Sequence, residues 1–177
     1  MNEESADPGV SAVIGRRLGN FPKTAIFVVL AAVVVDQLTK HWAVSHLNDG
    51  HVDHVIWTLQ WNLSFNGGMA FGQGQGFGPF IAVIATIVVV VLLLSLRQQG
   101  TTRSHVPIGL IVGGALGNII DRLFRGEGFL HGKVIDFIDF QWFPIFNVAD
   151  SAITIGVLMI LLFFQFRQLQ VYQPEFC

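Results

Sequence analysis

Residues 79–96 read PFIAVIATIVVVVLLLSL, and this stretch decides the fold class. No Asp, Glu, Lys or Arg occurs between His54 and Leu96, and the run approaches the roughly 20 residues that cross a bilayer as a helix. Because the run is apolar on every side, it predicts a helix that faces lipid. The chain is therefore predicted to be a membrane protein.

Three further apolar stretches have a similar length, and the composition of the chain is also that of a membrane protein. Of the 177 residues, 52% are hydrophobic and 12% are charged, against roughly 25% charged in soluble domains. We expect an all-α membrane protein with a single domain, residues 21–170, between a disordered tail (1–20) and a short C-terminal tail (171–177). The four predicted transmembrane helices cover residues 21–40, 78–96, 105–120 and 147–166.

Basic residues at the helix ends predict the orientation. By the positive-inside rule, the ends that carry most of them lie in the cytoplasm. Both termini are then cytoplasmic, and the longer loops, 41–77 and 121–146, are extracytoplasmic. The basic residues on the predicted cytoplasmic side are Arg16, Arg17, Lys23, Arg97, Arg103 and Arg167.

The two outer loops differ in pattern. HVIWTLQWNLSF (54–65) alternates bulky residues, which predicts short strands in a β-rich cradle at the headgroup level. The glycine-rich segment 67–78 would permit close backbone approach to a ligand or motion as a flap, and a plain flexible turn fits equally well. In the second loop, Asp136 and Asp139 lie on opposite faces if the segment is a strand and on one face if it is a helical turn.

Polar residues collect where three predicted transmembrane helices reach the outer face. Ionisable groups in a membrane cost roughly 2.5 to 3.5 kcal/mol each on insertion scales, so such a cluster predicts a functional site. Asp36 and Lys40 have the spacing of a local ion pair, which favours a scaffold role. The other members are Asn118, Asp121, Arg122, Asn147 and Asp150.

Asp150 has no basic residue in its own segment, since none occurs between Lys133 and Arg167. If Asp136 meets it in a partly dry cleft, the two carboxylates cannot both ionise and share one proton. One then takes a proton from water while the other donates to a carbonyl oxygen, as in aspartic peptidases. The residues thus predict acid–base cleavage of a peptide bond.

Other kinds of site fit less well. No serine lies in a G-x-S-x-G setting, and the only cysteine, Cys177, is the last residue. His51, Asp53 and His54 lack the helical H-E-x-x-H spacing and a third ligand, so we expect no metal and no cofactor. The alternative function is a small proton-coupled transporter or channel, which should also place polar groups at mid-depth.

Five ordered segments resemble lipoprotein signal peptidase, the signal peptidase II family of bacterial inner-membrane aspartic peptidases. A different class of intramembrane aspartic peptidase carries its acid in G-x-G-D, where this chain has GALGN. The loop 126–132 looks longer than the family needs, and residues 1–20 fall outside the match. The matching segments are DQLTK (36–40), NGGMAF (66–71), GALGNIIDR (114–122), VIDFIDF (134–140) and FNVADS (146–151).

The resemblance implies roles for eleven residues and a substrate. It makes Asp136 and Asp150 the catalytic pair, in agreement with the chemical argument. The implied substrate is a diacylglyceryl-modified prolipoprotein, cleaved before the lipidated cysteine, with membrane lipid as the other partner. We expect a monomer in the bacterial inner membrane and no nucleic-acid partner. Implied substrate-binding residues are Asn66, Asn118, Arg122 and Asn147, and implied supporting residues are Asp36, Lys40, Gly114, Asp121 and Asp139.

Overall fold

The structure, a computed structural model, describes residues 21–68, 76–98 and 104–171. Within these residues four helices are long and apolar enough to cross a membrane, and three strands form one small sheet. The predicted membrane fold is thereby confirmed. In chain order the elements are α1 (Lys23–Leu47), β1 (Asp53–Ile56), β2 (Leu59–Asn66), α2 (Gly78–Gln98), α3 (His105–Phe124), β3 (Val134–Asp139) and α4 (Val148–Val171).

Helix α3 lies inside the bundle and contacts the other three helices. Two thirds of its apolar stretch, 67%, is buried, against 17% in each of the other helices. Phe27 on α1 and Phe80 on α2, for example, are 71% and 63% exposed. Helices satisfy their own backbone hydrogen bonds, so α1, α2 and α4 can present apolar side chains to lipid.

Glycines let α3 approach its neighbours closely. A Cβ at position 113 would lie 2.7 Å from the Cβ of Ala32 on α1. A Cβ at position 117, one turn later on the same face, would overlap the carboxylate of Asp36. Small residues at such positions allow membrane helices to pack backbone against backbone. The carboxylate of Asp36 on α1 is thereby held directly against α3.

Helix α1 is longer than the predicted transmembrane helix, which ended at Lys40. It continues to Leu47, and Ala43 and Leu47 are fully buried. These residues pack against Ile135 and Phe137 of the sheet. Burial of this second apolar cluster favours the extra helical turns, because it removes apolar surface from water. Lys40 therefore lies inside a continuous helix and not at its end.

The sheet has the order β1-β2-β3, and both pairs are antiparallel. Strands β1 and β2 confirm the strands predicted in the first outer loop. Strand β3 resolves the choice left open for the second loop, and its acids at positions 136 and 139 lie on opposite faces. The predicted N-terminal tail, residues 69–75 of the glycine-rich segment and residues 172–177 lie outside the described residues.

Candidate active site

Asp136 and Asp150 are joined by one buried side chain, that of Asn147. The amide nitrogen of Asn147 donates to Asp136 Oδ1 over 2.6 Å, and its carbonyl oxygen accepts from the backbone N–H of Asp150 over 3.0 Å. Asn147 has no exposed surface. The structure thus brings together the two acids that the sequence paired.

The residues at the start of α4 explain the orientation of the Asp150 side chain. Asn147 precedes the first residue of α4 and caps it, while the carboxylate of Asp150 accepts from the backbone N–H of Asn147 over 3.2 Å. This reciprocal pair is a capping box, which satisfies two N–H groups at the start of a helix. The other oxygen of Asp150 accepts from Asn118 over 2.9 Å. The hydrogen bonds that cap α4 therefore also orient the carboxylate of Asp150.

Asp136 is buried close to the carboxylate of Asp150. It is 4% exposed, and its second oxygen accepts from Asn66 over 3.1 Å. Burial, and then the negative charge of Asp150, raise the pKa of Asp136 from 3.8 to about 6, although the hydrogen bonds from Asn66 and Asn147 act in the opposite direction. Among the described residues, neither acid of the pair forms an ion pair.

Both acids line a cavity of about 750 Å³, and its walls are mainly apolar side chains of α2, α3 and α4. This volume lies within the range of roughly 300 to 1,000 Å³ that is usual for ligand-binding pockets. Three of the four residues implied to bind substrate, Asn66, Asn118 and Arg122, also line it. The fourth, Asn147, lies behind the two acids and its amide hydrogens are directed to Asp136 and Asn118.

Arg122 lines this cavity and is anchored through one of its two terminal nitrogens. Its Nη2 donates to the carbonyl oxygen of Gly68 over 2.9 Å, and the side chain is almost wholly buried. Its Nη1 is also buried and has no hydrogen-bond partner among the residues that the structure describes. A buried donor without a partner is costly, and this one lies against Gly78, beside the cavity.

A fully buried lysine holds the elements around the site together. Lys40 Nζ is 2.9 Å from Asp36 Oδ2, 2.8 Å from Asp121 Oδ2 and 2.8 Å from Asn118 Oδ1. Its three ammonium hydrogens thus have three acceptors. The ion pair predicted between Asp36 and Lys40 is present, and the fold adds Asp121 to it.

The two carboxylates of this network reach further elements. Asp36 accepts from the backbone N–H of Ala149 in the first turn of α4, over 2.9 Å. Asp121 accepts from the backbone N–H of Ile135 in β3, over 3.3 Å. The network therefore fixes α4 and β3, the two elements that carry Asp150 and Asp136, to α1 and α3.

Sequence analysis did not identify two members of the network. Gln37 donates to Asp36 and Asp121, each over 3.2 Å, and Arg125 donates to Asp121 over 2.8 Å. Gln37 lies within DQLTK, so the motif itself was the available signal. Arg125 follows Asp121 by four residues on the same helical face, which was the signal for an ion pair.

The remaining supporting residues lie outside the cavity wall. Asp139 accepts from Gln60 and Asn62 of β2 over 2.8 and 2.9 Å, and from the N–H of Gln141 over 2.6 Å. Burial acts to raise the pKa of Asp139, but these hydrogen bonds outweigh it and hold the pKa below its usual value. Gly114 permits α4 to contact α3, since a Cβ there would overlap the carbonyl oxygen of Ala149.

Comparison with known proteins gives consistent matches. The family model described as signal peptidase (SPase) II matches residues 28–166. A lipoprotein signal peptidase of Shouchella clausii (strain KSM-K16) is 41% identical over 145 residues, which cover 78% of this chain and 90% of that protein. One from Bifidobacterium longum (strain DJO10A) is 38% identical over 144 residues, 79% of each chain.

Two solved structures share the fold. One is described as a bacterial membrane enzyme solved by the in meso method at 2.3 Å; its TM-score is 0.76 at 31% identity, over 90% of this chain and 98% of that chain. The other, with the same description at 1.9 Å, has a TM-score of 0.69 at 32% identity, over 83% of this chain and 96% of that chain.

Proposed function

This chain belongs to the signal peptidase II family, and we propose that it acts as an aspartic endopeptidase whose catalytic pair is Asp136 and Asp150. It is a multi-pass bacterial membrane protein with the function of a lipoprotein signal peptidase. Its substrate is a prolipoprotein modified with diacylglycerol, and the cleaved bond precedes the lipidated cysteine.

One observation carries the catalytic assignment. Asp136 and Asp150 face one largely apolar cavity, and the groups that donate to their carboxylates are Asn66, Asn118 and Asn147, all neutral. Neutral donors orient the carboxylates without fixing both of them in the charged state. The pair can then hold one proton, as general acid–base cleavage requires.

The surroundings support a division of roles within the pair. Because burial and the charge of Asp150 raise the pKa of Asp136 to about 6, the shared proton belongs on Asp136. Asp150 takes a proton from a water molecule, and the resulting hydroxide attacks the carbonyl carbon while Asp136 protonates the carbonyl oxygen. The tetrahedral intermediate then collapses: its C–N bond breaks, the nitrogen of the cysteine residue receives a proton from Asp150, and Asp136 regains its own.

Other polar residues have separable tasks. Arg122 offers its unpartnered Nη1 to a carbonyl oxygen of the substrate. Asn66 and Asn118 line the cavity and each holds one of the two acids. Asn147 is wholly buried behind them, so we assign it to positioning the pair and not to contacting the substrate.

The apolar walls suit a membrane-anchored substrate. Ile81, Ala85, Ile119 and Ile153 come from three different helices and provide a surface for a signal helix or acyl chains. Such a substrate is concentrated by the bilayer, so the cavity mainly needs to orient the scissile bond. We place this cavity at the extracytoplasmic face, with both termini in the cytoplasm, and expect a monomer.

The test compares three nearly isosteric variants: Asp136→Asn, Asp150→Asn and, as a control, Asp139→Asn. Each purified protein is given a lipid-modified precursor in detergent or bilayer, and cleavage is measured per folded molecule. Loss of a general acid or base should reduce turnover by at least about 10²-fold. Asp139→Asn should retain turnover per folded molecule, since the hydrogen bonds of this carboxylate go to Gln60, Asn62 and the N–H of Gln141 and not to groups that hold Asp136 or Asp150.

Substantial activity in Asp136→Asn or Asp150→Asn would exclude the proposed pair. The transporter alternative predicts a different result, namely proton or solute flux in proteoliposomes that the same substitutions abolish. A peptidase should show no such flux.

A further inference from the structure

A second cluster of polar side chains lies apart from the cavity, where α1 meets the sheet. His46 in the last turn of α1 faces the first residue of β1, Asp53, and His51 lies in the loop between them. One potential ligand atom from each residue lies within 4.8 Å of the other two. None of the three lines the cavity that contains the catalytic pair.

We propose that His46, His51 and Asp53 bind one divalent transition-metal ion of the zinc type. Two imidazoles and a carboxylate form a ligand set that suits Zn²⁺ and disfavours Mg²⁺ and Ca²⁺, which prefer oxygen ligands. The sequence suggested His51, Asp53 and His54 as possible ligands, but the spacing of HVDH gave no clear set of three. The fold replaces His54 with His46, a residue outside that motif.

The separations suit a four-coordinate ion. Nε2 of His46 is 3.2 Å from Asp53 Oδ2, and Nε2 of His51 is 3.5 Å from Asp53 Oδ1. Ligands about 2.0 to 2.1 Å from a tetrahedral Zn²⁺ lie roughly 3.3 to 3.4 Å from one another. The two contacts end on different oxygens of Asp53, and one ligand atom from each residue lies within 4.8 Å of the others, so side-chain rotations would bring the three around one ion with the fourth position left to water.

Both imidazoles are already oriented by neighbours. The ring of Trp42 stacks on that of His46 with centroids 5.6 Å apart, and the two histidine rings are 5.5 Å apart. Nδ1 of His51 is hydrogen-bonded to the carboxylate of Asp49, which leaves Nε2 for a metal. Such a carboxylate–histidine pair is the usual outer contact of a zinc ligand, since it fixes the tautomer.

Charge and chain path also favour a cation. Asp49 and Asp53 place two carboxylates against the two imidazoles, so the cluster offers two acidic groups to a bound cation. Gly50, with φ of 83°, turns the loop so that residues 46, 51 and 53 meet. A bound ion would tie the end of α1 to the start of β1, beside the buried Leu47.

The experiment uses the full-length protein in detergent, free of any histidine tag, titrated with ZnCl₂ after removal of metal by chelation. We expect one Zn²⁺ bound per chain with micromolar or tighter affinity, together with a rise in the unfolding temperature. His46→Ala and Asp53→Asn should each weaken binding by at least about 10-fold, and Asp49→Ala by about 10- to 100-fold. Binding should also weaken at about pH 5.5, because protons compete for the imidazoles.

His54→Ala is the matched control, because His54 neighbours Asp53 but points to the other face of β1. It should bind Zn²⁺ as the unaltered protein does. A readout that needs no variant is Co²⁺, which should give the intense visible absorption of a four-coordinate site. Absence of saturable Zn²⁺ binding up to about 100 μM, weak six-coordinate Co²⁺ bands, undiminished binding in His46→Ala or loss of binding in His54→Ala would each overturn the proposal.

Discussion

Replacing Asp136 with asparagine should change how the stability of the protein depends on pH. The pKa of Asp136 rises from 3.8 to about 6 in the folded protein, so the folded state binds this proton more tightly than the unfolded state. At about 1.36 kcal/mol for each unit between the two values, holding Asp136 ionised costs the folded state about 3 kcal/mol. This cost is absent below about pH 4 and fully present above about pH 6.

The asparagine side chain of this variant does not titrate, so the two proteins should differ in a pH-dependent way. The free energy of unfolding of Asp136→Asn, minus that of the unaltered protein, should increase by about 3 kcal/mol between about pH 4 and about pH 7.5. For a chain of this size, the difference in unfolding temperature should change by roughly 6 to 12 °C. Subtraction removes the contributions of titrating groups that are independent of Asp136; because Asp150 is coupled to Asp136, the difference reports on the pair.

Thermal unfolding in detergent at a series of pH values measures this difference. Asp139→Asn is the control on the same strand, with the opposite sign. Hydrogen bonds from Asn62, Gln60 and Gln141 hold the pKa of Asp139 below 3.8, so its contribution to stability is lost only below that pH. Asp139→Asn should be less stable by a constant amount over the whole range. A difference for Asp136→Asn that stays equally constant would refute the electrostatic account of the pair.

Four other changes test the remaining parts of the site. The kcat/KM for a lipid-modified precursor should fall about tenfold per pH unit above about pH 6, since Asp136 must be protonated; a flat profile to about pH 8 would contradict this. Lys40→Met should lower the free energy of unfolding by about 3 to 5 kcal/mol, measured by thermal unfolding, because it leaves an uncompensated buried charge. The double variant that also carries Asp36→Asn should recover part of this lost stability. Gly114→Ala should displace the start of α4 and reduce kcat by about 10²-fold; unchanged turnover would show that α4 can yield. Arg122→Lys should reduce kcat/KM by more than about tenfold, because lysine lacks the fork that contacts Gly68 and the substrate together; wild-type kinetics would argue against this contact.

Much of the site was predictable because its residues occur in short motifs at the helix ends. The i, i+4 spacing predicted the ion pair of Asp36 and Lys40, and the structure contains it. The isolation of Asp150 predicted that its partners come from elsewhere in the chain, and Asn118 does come from α3. The end of α1 was not predictable, since the continuation past Lys40 depends on a sheet formed by residues up to 139.

The tertiary structure also adds contacts for two residues that local patterns could not supply. Asn147 was expected to bind substrate, and its hydrogen bonds to Asp136 and Asn118 support the positioning role that we propose for it. His46 had no predicted role until the loop after α1 brought it beside His51 and Asp53. In both cases the deciding contact joins residues from different elements or loops, which the period of a single helix or strand does not relate.

The sequence by itself determined that this protein lies in a membrane and at which depth in the membrane its polar residues lie. Uncharged runs of bilayer length must be helical in lipid, and a charge is tolerated only near their ends or inside the bundle. Only the tertiary structure decided that Asp121 joins the ion pair of Lys40 with Asp36, and that amide groups are the hydrogen-bond donors to Asp136 and Asp150 among the described residues. The physical reason is that these partners are set by distances in space, which local sequence patterns do not specify.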